Sequence, residues 1–234
     1  GDGTFTEEDA WFPAVLPSQC GGAWGDNIVV TEVPERFSFA PKFSLERSTY
    51  AIIPDADILS PTEALSVEFW VKSTLPNQVG SNVIRKEGVF AIGVVNPNSL
   101  ILGRTWKDDN GLVNISKAGV NADFGEWRHV VLTTDRNNIV LYVDGEEVRR
   151  LPFNAGIPDT DAPIIIGARN QSHDFFDGSV DELRIYNRAL SGAEINAHIA
   201  HTFTDENTAG LVGYWPLDER EGTTFADESG NNNN

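Results

Sequence analysis

The chain has 234 residues, 40% of them hydrophobic, which is enough to bury a core of its own. Acidic residues (35) outnumber Lys and Arg (17), and the resulting charge of −18 argues against a nucleic-acid partner, because binding to phosphates needs an excess of cations. No apolar run approaches the roughly 18 residues of a membrane span, so we predict no membrane insertion.

The chain begins with Gly and contains no Met, so we interpret it as a processed mature chain or an excised segment. We expect it to be extracellular or displayed at a cell surface. Cys20 is the one cysteine, which excludes an internal disulfide and a cysteine-based zinc site.

Strand patterns then follow along most of the chain. The segment ALSVEFWVKS alternates, and its apolar face consists of Leu65, Val67, Phe69 and Val71. Glu68, Trp70 and Lys72 are predicted on the opposite face. GVFAIGVV, SLILGRTW and APIIIGAR are further apolar runs, and WRHVVLTTD and NIVLYVDG flank a short polar turn that predicts a hairpin.

One segment, SGAEINAHIAH at 191–201, is predicted to be helical. Ser191 and Glu194 have the spacing of a capping box, and Ile195 and Ile199 recur four residues apart. A single short helix late in a chain of many strands predicts an all-β antiparallel sandwich.

A family resemblance rests on several segments taken together. FFDGSVDELRIYNRALSGAEINAHI, residues 175–199, resembles the C-terminal signature of the laminin-G-like, or concanavalin A-like, jelly-roll family, which includes the pentraxins. EFWVK, EWRHVVLTTD followed by LYVDGEEV, and IIIGARN occur in the order and spacing of that family. The resemblance covers about residues 40–234 and implies a two-sheet jelly-roll sandwich.

The resemblance also implies a permuted register. Domains of that family open with a pattern like YWPLDE…DxSGNxNxGT, whereas here GYWPLDEREGTTFADESGNNN follows the helix and GDGTF begins the chain. We therefore expect residues 1–203 to form a sandwich that lacks one strand, which residues 204–234 supply. Within that strand, Leu211, Gly213, Trp215 and Leu217 are predicted to share one face, and Val212, Tyr214 and Pro216 the other.

Three arrangements would satisfy an incomplete sandwich. The strand could close its own sandwich, insert into the next subunit of a head-to-tail fibre, or pair within a tandem array, since an open sheet edge recruits a strand. A head-to-tail contact that does not close makes filaments. We favour strand exchange, including the tandem case, over self-closure.

Calcium is the expected ligand of the ADESGNNN loop, because calcium prefers carboxylate, amide and carbonyl oxygens from loops. Asp227, Asn231 and Asn233 supply such oxygens, and the resemblance implies that Asp181 approaches them. The alternative is a set of Asx-turns without metal. In the loop 167–174, Asn170 and Asp174 match calcium ligands of the pentraxins, but we favour an ordinary polar loop there.

A sugar-binding rim is the second candidate. Trp106 lies beside Asp108, Asp109 and Asn110 at a predicted hairpin tip, and an aromatic side chain with polar neighbours suits a glycan. The alternative, which we favour, is a Trp that covers a sheet edge next to an Asn-Gly turn.

Catalysis has no motif in its favour. The Glu-x-Asp-x-(x)-Glu pattern of related glucanases is missing from the sequence, and Asp181 and Glu182 are predicted to point to opposite faces. We predict a non-catalytic structural or adhesive module that assembles with copies of itself through the C-terminal strand and is stabilised by calcium. The alternative is a calcium-dependent, lectin-like domain that binds polysaccharide and closes its own sandwich.

Overall fold

The computed structural model describes residues 39–75, 80–95, 100–106, 111–121, 125–219 and 224–233. These residues fall within one compact unit, residues 39–234. A short 3-10 helix spans Asp57–Leu59, and one α-helix, α1, spans Gly192–Ile199. The strands are β1 Lys42–Phe43, β2 Ala51–Ile53, β3 Leu65–Ser73, β4 Ser81–Lys86, β5 Phe90–Val95, β6 Leu100–Trp106, β7 Leu112–Asn121, β8 Trp127–Thr134, β9 Asn138–Val143, β10 Glu146–Pro152, β11 Ile164–Ile166, β12 Gly178–Tyr186 and β13 Leu211–Trp215.

The strands form two sheets in which the pairings are antiparallel. Sheet A has the order β1-β12-β3-β8-β9-β10, and β13 pairs with β12 on the side that β1 also uses. Sheet B has the order β2-β11-β4-β5-β6-β7. The predicted fold class, an all-β jelly-roll sandwich with one short helix, is confirmed.

The main core lies between the two sheets. The apolar face predicted for β3 is confirmed, since Leu65, Val67, Phe69 and Val71 are all buried in this core. Ile84, Ile92 and Ile166 face them from sheet B. Alternation along β3 therefore assigned its inner face correctly.

Helix α1 covers the other face of sheet A. Its N-terminus has the predicted capping box, in which Ser191 and Glu194 satisfy each other's backbone N–H groups. Ile195 packs against Tyr142 and Tyr186 in a second apolar cluster. Among the described residues, no helix is long and apolar enough to span a membrane.

Strand β13 pairs with β12 of the same chain. Trp215 is 1% exposed and lies over Gly213, where an added Cβ would meet the indole at 2.5 Å. A β-bulge opposite Ile185 and Tyr186 reverses the alternation at the start of the strand. The shared face predicted for Leu211, Gly213, Trp215 and Leu217 is therefore wrong at the start of β13. Val212 joins the main core instead, and Leu211 packs against the cluster under α1.

A second β-bulge lies in β12, where the register against β3 shifts between Asp181 and Arg184. Glu182 has a φ of 55°, a left-handed conformation that is uncommon outside glycine. Its carboxylate reaches the Arg184 side chain, and Arg184 pairs across the sheet with Glu68. The prediction that Asp181 and Glu182 point to opposite faces is wrong, because the bulge turns both toward the outer side of sheet A.

Candidate functional site

The predicted sugar-binding rim falls at the limit of the described chain. Trp106 is the last residue of β6, and Asp108, Asp109 and Asn110 follow it. The Trp106 side chain and these three residues lie outside the described residues. This rim stays a prediction.

Asp227 organises the loop that follows β13. Its Oδ1 accepts hydrogen bonds from the backbone N–H groups of Tyr214 and Ser229, each at 2.9 Å. Its Oδ2 accepts from the Ser229 hydroxyl at 2.9 Å and from the backbone and side-chain N–H groups of Asn233 at 2.9 and 2.7 Å. Burial raises the pKa of Asp227, but these hydrogen bonds outweigh it and hold the pKa below its ordinary value.

The same loop caps the outer edge of β13. The carbonyl of Val212 accepts hydrogen bonds from Ser229 Oγ, Asn231 Nδ2 and Asn233 Nδ2 at 3.0 to 3.3 Å. The carbonyl of Tyr214 accepts from the N–H of Glu228 at 2.7 Å. The loop therefore supplies the hydrogen-bond donors that a neighbouring strand would otherwise provide to β13. Without them, the unpaired groups of this edge strand would be a template for aggregation.

Calcium at this loop would compete with those hydrogen bonds. It takes about six to eight oxygen ligands, whereas both Asp227 oxygens face N–H and O–H donors and the Asn231 and Asn233 amides turn nitrogen toward Val212. Asp181 is 1% exposed, and its Oδ1 accepts from the Glu182 N–H at 3.0 Å. In the part of the chain that the structure describes, no group of three or more His, Cys, Asp or Glu could hold a metal ion. The arrangement fits a hydrogen-bonded loop rather than a calcium site, and calcium binding stays a prediction.

A buried carboxylate lies beneath α1. Glu68 is 1% exposed and contacts His129 Nε2 at 2.9 Å and His198 Nδ1 at 2.8 Å. Burial raises the pKa of Glu68, yet the hydrogen bonds from the two histidines outweigh it and lower the pKa to about 2. The carboxylate is therefore charged and held in place, as in a structural ion cluster.

This cluster continues toward β13 along the outer face of sheet A. The Arg184 guanidinium pairs with Glu182 and lies 4.1 Å from the ring centroid of Tyr214 and 4.7 Å from that of Phe203. His198 stacks between Phe203 and Tyr186. Sheet A thus uses its outer face for internal packing in this region.

Sheet B presents a different outer face. One lateral row crosses its strands through the paired residues Ile52, Ile165, Arg85, Ala91, Arg104 and Asn114. The sequence neighbours Ile84, Ile164 and Ile166 are buried in the main core, so this row points away from it. Ile52 and Asn114 at the two ends are exposed, and the middle holds buried Arg85 beside half-buried Arg104.

The loop 167–174 adds charge next to this row. Arg169 Nη1 lies 3.6 Å from Asp174 Oδ2, and Arg85 pairs with Glu87. Burial lowers the pKa of Arg104, the positive charges of Arg85 and Arg169 lower it further, and Asp174 opposes them. The positive charges of Arg85 and Arg169 therefore oppose that of Arg104, although the protein as a whole is acidic.

The ordinary polar loop predicted at 167–174 has the geometry of a tight turn. Asn170 Oδ1 accepts a hydrogen bond from the Ser172 N–H at 2.9 Å, and Asn170 bridges to His173. Asp174 has a φ of 55°, which fits its place at the end of the turn.

An aromatic pair borders the same face. The rings of Tyr50 and Phe175 lie 6.4 Å apart at an angle of 35°, and Tyr50 is 36% exposed. Tyr50 precedes β2 by one residue and is two residues from Ile52. An accessible aromatic ring beside convergent polar groups is the usual composition of a small-ligand site. We call Tyr50, Phe175 and the lateral row together the sheet B site.

Sequence reasoning missed this site, although a signal was present. Arg85 in NVIRK and Arg104 in LILGRTW are single charges inside otherwise apolar strands. Such a charge must have a partner or a task, because burying a guanidinium is unfavourable. Nothing in the sequence, however, shows that β4 and β6, which carry these arginines, are separated in the sheet by β5 alone.

Comparison with known proteins identifies the family to which this fold belongs. A family model described as the concanavalin A-like lectin/glucanases superfamily matches residues 45–196. The chain belongs to this superfamily. The predicted resemblance is therefore confirmed, and the match spans both sheets and the start of α1. No curated protein is similar enough to count as a relative.

Several solved structures share the concanavalin A-like fold with the chain. A candidate carbohydrate-binding protein of Bacteroides ovatus has a TM-score of 0.64 at 18% identity, over 82% of this chain and 56% of that one. The binding domain of botulinum neurotoxin DC in complex with SialylT has a TM-score of 0.54 at 18% identity, over 66% and 39%. Botulinum neurotoxin type C, whose cell entry depends on two ganglioside molecules, has a TM-score of 0.51 at 19% identity, over 66% and 40%. The chain thus spans 39% to 56% of these proteins, and the likeness shows the fold alone.

Proposed function

We propose that the chain is a non-catalytic, lectin-like module that binds carbohydrate at the sheet B site. The observation that carries this proposal is the exposed Tyr50 ring beside Phe175, directly before β2 of the sheet whose outer face carries half-buried Arg104 and exposed Asn114. Aromatic rings stack on the apolar faces of sugars, while planar polar groups bond their hydroxyls. On sheet A, α1 and the Glu68 cluster occupy the part of the outer face that lies beneath the helix.

The comparisons support the same class of function. The superfamily includes lectins, and the similar structures include a candidate carbohydrate-binding protein and toxin binding domains associated with sialylated or ganglioside ligands. Glucanases share the fold, but fold alone does not carry activity. The Glu-x-Asp-x-(x)-Glu motif is missing from the sequence, and Glu68 and Glu182 are held by His and Arg partners. A secreted or surface-displayed module is the setting that fits glycan binding.

A glycan array with matched variants tests this proposal. The intact chain should bind one class of oligosaccharide, and Tyr50→Ala should weaken that binding by about tenfold because a stacking surface is lost. Phe203→Ala is the matched control, since Phe203 is 37% exposed but lies on the sheet A side. Equal binding by both variants, with circular dichroism confirming folded protein, would contradict the proposed face. Failure to bind any glycan would contradict the function.

Self-assembly through β13 remains a separate proposal. Within a single chain β13 pairs with its own β12, and the same antiparallel contacts would form if β13 were supplied by a neighbouring copy. Light scattering over a concentration series distinguishes the two cases. A constant mass of 25.6 kDa would indicate closure within one chain, and a concentration-dependent series of multiples would indicate strand exchange into filaments.

A further inference from the structure

The lateral row on sheet B presents its accessible polar groups toward one end. Arg85 and Arg104 lie on β4 and β6, two strand spacings or about 10 Å apart, with Ala91 of β5 between them. Arg85 and Ala91 are buried, whereas Arg104 is half-buried and Asn114 on β7 is exposed. A ligand that approaches this end of the row would therefore meet Arg104 and Asn114 first.

Among the described residues, the ion pairs of this region leave one cation, Arg104, without a carboxylate partner. Arg85 pairs with Glu87, and Arg169 with Asp174. Arg104 makes no ion pair among the described residues, and its Nε is buried without a hydrogen-bond partner there. Burial and the positive charges of Arg85 and Arg169 lower the pKa of Arg104, and Asp174 opposes them. A bound anion would offset the repulsion among these guanidinium groups.

We propose that the ligand is an acidic oligosaccharide and that Arg104 binds the carboxylate of one of its sugars. This inference rests on the proposed function. A guanidinium matches a carboxylate through two parallel, charge-assisted N–H···O bonds, and neutral sugars lack the negative charge that strengthens them. Arg85 and Arg169 add favourable charge, and Asn114 is placed to bond a neighbouring hydroxyl.

The length of the site indicates more than one sugar. From Ile52 on β2 to Arg104 on β6 the row crosses four strand spacings, or roughly 19 Å. The exposed ring of Tyr50 lies at the β2 end. An oligosaccharide can therefore stack on Tyr50 at one end while a carboxylated sugar reaches Arg104 toward the other.

Titration calorimetry on matched ligand pairs tests this inference. The probes are oligosaccharides of galacturonate, glucuronate and mannuronate, each beside its carboxyl-reduced, neutral form. We expect at least one uronate to bind at least tenfold more tightly than its reduced form. Arg104→Gln should remove most of that difference, Arg104→Lys should keep part of it, and Arg149→Gln, an exposed arginine on β10, should change nothing.

Each other result has a distinct meaning. Equal binding of acidic and reduced forms, with loss on Tyr50→Ala, overturns the acidic preference and leaves the proposed function standing. A uronate preference that survives Arg104→Gln overturns the role of Arg104. Equally tight binding of a sulfated oligosaccharide would show general attraction of anions and overturn carboxylate recognition. If no probe and no array glycan binds, both proposals fail.

Discussion

Trp215→Ala should remove much of the stability that the C-terminal strand provides. Trp215 is 1% exposed and is among the largest fully buried side chains, and its indole lies against Gly213 and the core below. Truncating a buried Trp to Ala removes about 3 to 5 kcal/mol from the free energy of unfolding. This is a large share of the roughly 5 to 15 kcal/mol that holds a typical domain together.

Thermal and urea unfolding would measure this loss. At about 2 to 4 °C per kcal/mol for a domain of this size, the midpoint should fall by roughly 6 to 20 °C. Leu45→Ala is the control, because Leu45 is 45% exposed and its removal should change the free energy of unfolding by less than about 0.5 kcal/mol. If the two variants unfold alike, β13 does not complete the core and the argument is refuted.

Three further predictions concern the outer side of sheet A and its edge. The pKa of Glu68 is lowered from 4.5 to about 2, so the stabilisation from its charged form is complete above pH 4.5 and is lost as the pH falls toward 2. Urea unfolding over this pH range should show a loss of about 3 kcal/mol in the free energy of unfolding. Glu68→Gln should largely abolish this pH dependence. Asp227→Ala should lower the free energy of unfolding by about 2 kcal/mol, because it leaves the N–H donors of the loop that follows β13 unpaired. Asp227→Asn should lower it by less. An unfolding midpoint equal to that of the intact chain would contradict the role of Asp227 in capping the edge of β13. Asp227→Ala should lower the midpoint equally in calcium and in chelator, whereas a loss confined to calcium buffer would favour the calcium site predicted from the sequence.

Local pattern was sufficient to predict the sandwich and its inner faces. Alternation in β3 identified the core positions, and the capping box located the start of α1, because both features depend on neighbours within a few residues. The same alternation placed Glu68 on a polar face, where it is in fact buried. That burial depends on α1 and His198, which lie about 130 residues further along the chain.

The bulges are the second kind of feature that local pattern could not predict. Leu211 and Glu182 both lie on faces other than those that strict alternation assigns, since each bulge adds a residue to one strand of the pair. The sheet B site depends on longer-range register still. The placement of Arg85, Arg104 and Tyr50 along one sheet depends on the lateral order of five strands, and that order is a property of the whole sheet.

Hydrogen-exchange mass spectrometry in the presence of a bound uronate oligosaccharide tests the central claim most directly. We predict slower exchange in peptides that contain β2, β11, the loop 167–175 and the part of β6 and β7 around Arg104 and Asn114, with little change in α1 or β13. Protection confined to residues 201–215, on the sheet A side, would contradict it and would show that this lectin-like fold binds its glycan elsewhere.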